Sequence, residues 1–340
     1  MALTNLLVRL PNPLGDVVMA TPFLQGLRKV YPENRIILAG QKVHQGLLET
    51  ADFCDAYLAL PPHQAGWKGV KDQANALRNA QAQSIYILPN SFSSALAALL
   101  AKIPRRYGRR HAGRRFLLTH PLQSLGKARP MTEIYWEMLA GKAGVKIPPC
   151  QLPPQVAKPK LPTLEKGQAW LAVSPGAAFG PTKQYPLPLL TQALAQIQSQ
   201  LHLHPLLLGA ESEAPLLEDL SKQLKTAGVA YHSTHLSPPS LAESLSWFAA
   251  CDLALTMDSG ARHLAAAVGI PQIVFYGPTN SAWSAYGLNE LTKIQQENLS
   301  CLGCHLKTCP INHPCMNDVS PHTVATAVAH AHQSLRTLVT

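Results

Sequence analysis

The stretch that decides the fold is Leu253 to Thr279, LALTMDSGARHLAAAVGIPQIVFYGPT. Leu253 to Thr256 is a short apolar run of the kind a buried parallel strand needs, and Asp258, Ser259 and Gly260 come next at its carboxyl end. Ser259 is placed to cap a helix over Ala261 to Val268, which Gly269 and Pro271 stop, and Gly260 admits close approach to the backbone. A strand, turn, helix and strand in this order make a crossover unit whose helix mouth presents free N–H groups and the positive end of the dipole. Such a mouth suits a phosphate, and His263 on the first turn offers a further donor. Taken alone, the turn is equally an ordinary crossover in which Asp–Ser–Gly caps a helix. A second stretch, Trp170 to Pro186, WLAVSPGAAFGPTKQYP, tips the balance. It places Thr182 and Lys183 after another strand and just before another helix, so one cation joins one helix mouth at adjacent strand ends.

The chain has 340 residues, 46% of them hydrophobic and 14% charged, which supports two cores. Its 29 Lys and Arg against 19 Asp and Glu give a formal charge of +10, so an acidic partner is expected: nucleic acid, an anionic membrane surface or a phosphorylated substrate. The amino terminus lacks the pattern of a secretory signal, and no window reaches the roughly 18 uninterrupted apolar residues of a membrane span. The expected location is cytoplasmic.

Strands are predicted at Leu6–Leu10, Arg35–Ala39, Ala56–Leu60 and Ser84–Leu88, with helices near Asp16–Val30, Gly69–Asn79, Ser91–Ala101 and Met131–Gly144. The segment 148–162, PPCQLPPQVAKPKLP, breaks the alternation. Strands at Leu171–Ser174, Pro205–Leu208, Asp252–Thr256 and Gln272–Tyr276 come after it, with helices near Leu187–Gln200, Ala214–Ala227, Leu241–Ala250 and Ser259–Val268. The expectation is an α/β protein of two Rossmann-like, doubly wound domains facing a central cleft: residues 1–150, a linker 151–163, residues 164–320, and a final helix 321–340 packing back on the first domain. The loop after the first strand carries Gly15, which permits a tight turn, and Asp16 at a helix start. Asp16 there is either a cap that satisfies backbone donors or a general base facing the cleft.

The residues LPNPLGDVVMATP from Leu10, YILPNSFSSALAALLAKIPRRYGRR from Tyr86, SPGAAFGPTKQYP from Ser174, LLLGAESE from Leu206 and MDSGARHLAAAVGIPQIVFYGPT from Met257 together resemble the lipopolysaccharide heptosyltransferases, which have the GT-B glycosyltransferase fold. The LPNSF stretch is most similar to the enzymes that add the second heptose. The resemblance implies an acceptor-binding first domain and an ADP-sugar-binding second domain. It implies inverting transfer of heptose from ADP-heptose to the inner core, on the second-heptose site of heptosyl-Kdo2-lipid A, at the cytoplasmic face of the inner membrane. It makes Asp16 the base, gives Lys183 the donor diphosphate, assigns the turn Asp258 to His263 to the donor, and gives the ribose to Glu213 rather than Glu211; Gly15 and Thr182 are expected to join the donor-binding set. The chain departs from the family at Tyr185, often tryptophan, at Met257, often asparagine or aspartate, and at Arg262, often apolar. Arg262 is expected to add a cation near the phosphate site.

No cofactor is required by that chemistry, and the chain has no Asp-x-Asp motif. Arg105, Arg106, Arg109 and Arg110, with Arg114 and Arg115 beyond them, form a basic segment. Such a run is a solvated face, a nucleic-acid surface, or, as its place in the first domain favours, a contact for the carboxylates and phosphates of a lipid A acceptor. Cys301, Cys304, Cys309 and Cys315 have a spacing that suggests a structural zinc or iron, with His305 and His313 as substitute ligands, whereas Cys54, Cys150 and Cys251 read as buried hydrophobes. Two other readings are a heptosyltransferase acting on a protein hydroxyl, which the cysteines favour, and a non-catalytic nucleotide-sugar binder.

Overall fold

The computed structural model describes residues 4–62, 64–123, 129–154, 156–157, 159–284, 286 and 291–339. The chain divides into two compact units, Met1–Pro153 and Pro154–Thr340, and the division falls inside the proline-rich segment. Each unit is built on one parallel sheet.

In the first unit the strands are β1 Asn5–Arg9, β2 Arg35–Gln41, β3 Ala56–Leu60, β4 Ser84–Ile87, β5 Arg105–Arg109 and β6 His120–Leu122, in the order β3-β2-β1-β4-β5-β6. β1 lies between β2 and β4, so Leu6, Leu7 and Val8 are buried from both faces, and their run shows no polar alternation. The chain leaves β1 toward one edge and returns beside it in β4 to build toward the other edge. The predicted helix over 16–30 is two helices, Leu14–Met19 and Thr21–Val30. Pro22 in the first turn of the second cannot donate to the preceding turn, and the Thr21 hydroxyl bonds the Val18 carbonyl at 2.8 Å.

In the second unit the strands are β7 Ala169–Ser174, β8 Leu203–Leu207, β9 His232–Ser233, β10 Leu253–Met257, β11 Gln272–Phe275 and β12 Leu291–Ile294, in the order β12-β11-β10-β7-β8-β9. The reversal here lies between β7 and β10. The final helix, Pro321–Val339, puts Val324, Ala325, Val328 and Ala331 into this same core, packed on the helix Leu187–Leu201. Its buried face is thus used within the second unit. Tyr185 and Met257, two departures from the family pattern, are core residues: Tyr185 stacks on Phe275 at 4.5 Å and its hydroxyl donates to the Val319 carbonyl at 2.7 Å.

β5 is the main element that the sequence pattern conceals. It lies inside the predicted basic segment, and its side chains do not behave as one surface. Arg109 is 4% exposed, its guanidinium donating to the Ile134 and Gln123 carbonyls and pairing with Glu137 at 2.9 Å. Arg106 donates to the Leu117 carbonyl at 2.8 Å and the Ile103 carbonyl at 2.6 Å. Arg114 is wholly buried and binds the carbonyls of Arg109, Pro89 and Ser91 with the side chains of Ser94 and Asn90. Arg105, Arg110 and Arg115 are exposed. Of the four arginines expected to meet an acceptor, Arg106 and Arg109 are thus corrected to internal roles, spent on carbonyls and a carboxylate, and Arg105 and Arg110 are the exposed two.

Charge-assisted bonds to buried groups are worth about 2 kcal/mol each. Arg109→Ala lowers the stability of the chain by at least that amount in urea unfolding, while Arg110→Ala shifts it by no more than about 0.5 kcal/mol. Equal midpoints for the two variants would return Arg109 to the surface.

Candidate functional site

The carboxyl ends of β7 and β10 adjoin, so the loops leaving these two strands meet. Lys183, in a short turn of helix Pro181–Lys183, reaches across with its Nζ 2.6 Å from the Asp258 carbonyl oxygen and 3.0 Å from Oδ2 of its carboxylate. The Asp258 carboxylate also accepts from the Thr279 hydroxyl at 2.6 Å and the Ser284 hydroxyl at 3.1 Å, and Arg262 Nε stands 3.6 Å from Oδ1. Burial opposes ionisation of Asp258, but Lys183, the Thr279 hydroxyl and Arg262 outweigh it and hold the carboxyl below its ordinary pKa. Two cations thus stand around one carboxylate. Of the two, Lys183 is the partly exposed one and lies beside the start of the helix Gly260–Ala267.

That mouth is open in a specific sense. Ser259 occupies the N-cap position with extended backbone, yet its hydroxyl makes no capping bond, so its side chain does not close the first turn. Among the residues expected to act here, Lys183, Asp258, Ser259 and Gly260 are brought together. Three others are placed differently from expectation. Arg262 is fully buried, its guanidinium directed to Asp258, to the Ser284 carbonyl and onto the Tyr286 ring at 5.4 Å, so it supports the turn from inside and adds no cation at the mouth. His263 is buried, stacks on Tyr286 and bonds that hydroxyl through Nδ1 at 3.0 Å. Burial and the charge of Arg262 push its pKa well below the ordinary histidine value, so the ring is neutral. The Thr182 hydroxyl points away, donating to the Leu306 carbonyl at 2.8 Å.

That last bond explains the cysteine segment. Cys301, Cys304, Cys309 and Cys315 line one cavity of about 20 Å³ beside Thr182 and Gly277. All four are free thiols, and among the described residues no group of three or more His, Cys, Asp and Glu side chains is arranged to hold a metal ion. In this arrangement the Cys309 Sγ is turned to the Ile311 carbonyl at 2.7 Å. The segment also braces the Lys183 turn. His313 Nε2 donates to the Thr182 carbonyl at 2.7 Å, and the His305 N–H donates to the Pro278 carbonyl at 2.8 Å.

Glu213 ends the short turn Glu211–Glu213 after β8, and its Oε2 accepts from the Ala210 N–H at 2.9 Å. A Cβ built on Gly176 would lie 2.0 Å from its Oε1, so the absence of a side chain at Gly176 is what lets this carboxylate lie against the end of β7. Burial raises its pKa. Glu211 is exposed, so of the two glutamates only Glu213 is drawn in.

In the first unit the corresponding junction is between β1 and β4. A cavity of about 310 Å³ opens there, lined by Arg9, Asn12, Asp16, Gln73, Asn90 and Tyr135 among others. Gly15 and Asp16 lie in the first turn of the helix Leu14–Met19. The Asp16 carboxylate makes no hydrogen bond among the described residues, which disposes of the capping role, and burial alone lifts its pKa to about 6. A carboxylate of that basicity, half-buried and unbonded beside a cavity, is equipped to take a proton. The Leu88–Ser94 wall is held by the bonds of Arg114. The pattern of LPNSF thus marks a wall, and the residue behind it, Arg114, lies too far along the chain to be associated with it by spacing.

The model of glycosyltransferase family 9 (heptosyltransferase) matches residues 71–314 of this chain. The chain belongs to that family. A lipooligosaccharide heptosyltransferase 2 of Campylobacter jejuni is 26% identical over 326 residues, 94% of this chain and 96% of its own length. The solved ADP-heptose LPS heptosyltransferase II of Escherichia coli superposes with a TM-score of 0.78 at 21% identity, covering 98% of this chain and 99% of its own. A second E. coli heptosyltransferase, solved with ADP-2-deoxy-2-fluoro heptose, gives 0.70 at 15% identity, over 96% of this chain and 99% of that one. The fold is that of the GT-B heptosyltransferases, with two parallel α/β units, and the chain is a glycosyltransferase of the heptosyltransferase family.

Removing the Asp258 charge leaves Arg262 and Lys183 buried without a counter-ion, a loss of about 3 to 5 kcal/mol. Asp258→Asn lowers stability by that order at pH 7. Because its folded pKa lies below the unfolded value of about 3.9, the Asp258 contribution is full above that value and is lost as pH falls through the lowered one. Urea unfolding of the wild type therefore loses stability in acid below about pH 4, a slope that Asp258→Asn reduces. An unchanged slope would mean that the cluster is not the stabilising group.

Proposed function

We propose that this glycosyltransferase moves a heptose, with inversion at the anomeric carbon, from an ADP-heptose to the inner core of lipopolysaccharide, adding the second heptose to heptosyl-Kdo2-lipid A. The observation that carries the reading is the pairing of two strand-order reversals: an unbonded, basic carboxylate beside a cavity in the first unit, and a cation with an uncapped helix mouth in the second. The second-heptose relatives, matched nearly end to end, favour this acceptor. In the ternary complex Asp16 takes the proton of the acceptor hydroxyl as that oxygen attacks the anomeric carbon from the face opposite ADP. Positive charge grows on the sugar ring, and negative charge grows on the departing diphosphate. Lys183, with a hydrogen beyond those given to Asp258, and the N–H groups at Gly260 and Ala261 receive that negative charge, the Ser259 N–H being held by the Met257 carbonyl at 2.8 Å. Fixed donors of this kind are worth about 3 kcal/mol each in the transition state. Glu213 accepts from the ribose hydroxyls of the donor, and exposed Arg105 and Arg110 meet acidic groups of the acceptor.

The net charge of +10 supports work at an anionic membrane surface, and we place the enzyme peripherally on the cytoplasmic face of the inner membrane. No helix among the described residues is long and apolar enough to cross a membrane. Transfer to a protein hydroxyl, which the cysteine spacing favours, ranks below this reading because the relatives matched nearly end to end are second-heptose enzymes.

The test is transfer from ADP-heptose to Kdo2-lipid A and to heptosyl-Kdo2-lipid A, read by mass. A gain on the heptosylated acceptor alone is expected, and a gain on neither would defeat the proposal. Asp16→Asn abolishes turnover while ADP-heptose binding, measured by calorimetry, persists. Since a base must be ionised, kcat/KM of the wild type rises with pH through about 6 and levels above it. A flat profile from about pH 5 to pH 8, a range across which Asp16 would change charge, would remove it as the base. Gly176→Ala pushes the Glu213 carboxylate aside and raises the donor KM by about tenfold, the loss of one charge-assisted bond, with the acceptor KM unchanged.

A further inference from the structure

β1 is the central strand of its sheet, and after Asn5 its residues are apolar until the last, Arg9. Arg9 is 5% exposed. Its guanidinium donates to the Leu10 carbonyl and, at 2.9 Å, to the Asn12 side-chain oxygen, while Nε has no partner among the described residues. Among the described residues no carboxylate pairs with it. Tyr57 and His44, the titratable groups that act on it, do not supply a negative charge either. The Tyr57 hydroxyl donates to the Gln41 carbonyl at 2.7 Å, and its pKa is pushed upward by burial, so it stays protonated. His44 is neutral, its pKa lowered to about 4 by burial and by Arg9 itself. Asp16 lines the same cavity, but no ion pair joins the two among the described residues.

The other buried arginines of this unit are matched. Arg109 has Glu137, and Arg114 has five oxygen acceptors. A buried cation left without a counter-charge is costly to a folded chain. Arg9 keeps that cost while opening onto the cavity that Asp16 also lines.

We propose that Arg9, with Asn12, is an anion subsite in the first unit's cavity, which receives an acidic group of the acceptor, a carboxylate or a phosphate, and so orients the acceptor toward Asp16. The proposal rests on the acceptor reading above and deepens it. The rest of the lining suits the remainder of such a ligand. Gln64, Gln73, Asn90 and Ser93 are neutral donors and acceptors of the kind that bind sugar hydroxyls, and the Arg114 network fixes the Asn90 wall before a ligand arrives. An acidic sugar therefore finds one cation and a ring of amides and hydroxyls. A neutral sugar leaves Arg9 uncompensated, which makes the subsite selective against it.

The test compares wild type, Arg9→Gln and Arg9→Lys on heptosyl-Kdo2-lipid A, on the same acceptor with its Kdo carboxylates methyl-esterified, and on the dephosphorylated acceptor. On the native acceptor Arg9→Gln raises the acceptor KM on the order of thirtyfold, with kcat and the donor KM within about twofold, and Arg9→Lys recovers part of the loss. The difference between wild type and Arg9→Gln disappears on the esterified acceptor if a carboxylate is the ligand, and on the dephosphorylated acceptor if a phosphate is. The same ratio on all three acceptors would overturn the proposal. A binding arm stands apart from transfer: Kdo monosaccharide or inorganic phosphate raises the Tm of the wild type and of Asp16→Asn, but not that of Arg9→Gln. Without ligand, Arg9→Gln melts at or above the wild-type temperature, because it removes an unpaired buried charge. A lower Tm with an unchanged acceptor KM would mark Arg9 as structural and defeat the subsite. If no lipid acceptor is used at all, the anion shift in this arm still decides the subsite independently of the acceptor.

Discussion

The geometry of both units obeys one constraint: a parallel strand must be reached by a crossover, and where the strand order reverses, the chain leaves two neighbouring strands in opposite directions. A crevice is left at those strand ends. β1 and β4 make such a junction in the first unit, β7 and β10 in the second. The chemistry-bearing residues gather at these two junctions. In the first unit Arg9 ends β1, Asp16 lies just beyond it, and Asn90 lies just beyond β4. In the second, Lys183 comes after β7 and Asp258 after β10.

The two junctions are electrostatically different, and the difference suits the parts proposed for them. The second is a densely bonded cluster in which Asp258 is saturated by Lys183, Thr279, Ser284 and Arg262. Its carboxylate is not a ligand in waiting but the anchor that holds a lysine at an open helix mouth. The first is under-bonded. Among the described residues Asp16 has no hydrogen bond and Arg9 has no counter-ion, so the cavity retains a base and a cation for a substrate to satisfy. A rigid second junction and an unsatisfied first one suit the division of labour proposed for group transfer.

Much of this was legible in the sequence because the central strands are buried on both faces and announce themselves as apolar runs bounded by glycine and proline. β5 was concealed because RRYGR has no apolar pattern. Its burial is won by partners far along the chain, Glu137 for Arg109 and the ring of Tyr86, which stacks on Tyr107 at 4.6 Å. β6 and β9 are too short for a periodicity to develop. At the site, the turn from Asp258 was visible but the direction of its carboxylate was not, since Thr279 and Ser284 lie 21 and 26 residues away. The cysteine spacing suggested a metal, but it gave no sign of the segment's hydrogen bonds to the Lys183 turn. Arg9 did leave a signal, a lone cation closing the run LLVR in a central strand, whose meaning depends on knowing that nothing described around it neutralises it.

The most direct test of the account is a crystal structure of the protein with ADP. The diphosphate is expected in the second unit, with an oxygen within hydrogen-bond distance of Lys183 Nζ and of the N–H groups at Gly260 and the residue after it, and the ribose beside Glu213. A diphosphate bound away from the β7–β10 junction, or one that displaces Lys183 from Asp258 without touching the helix mouth, would contradict it.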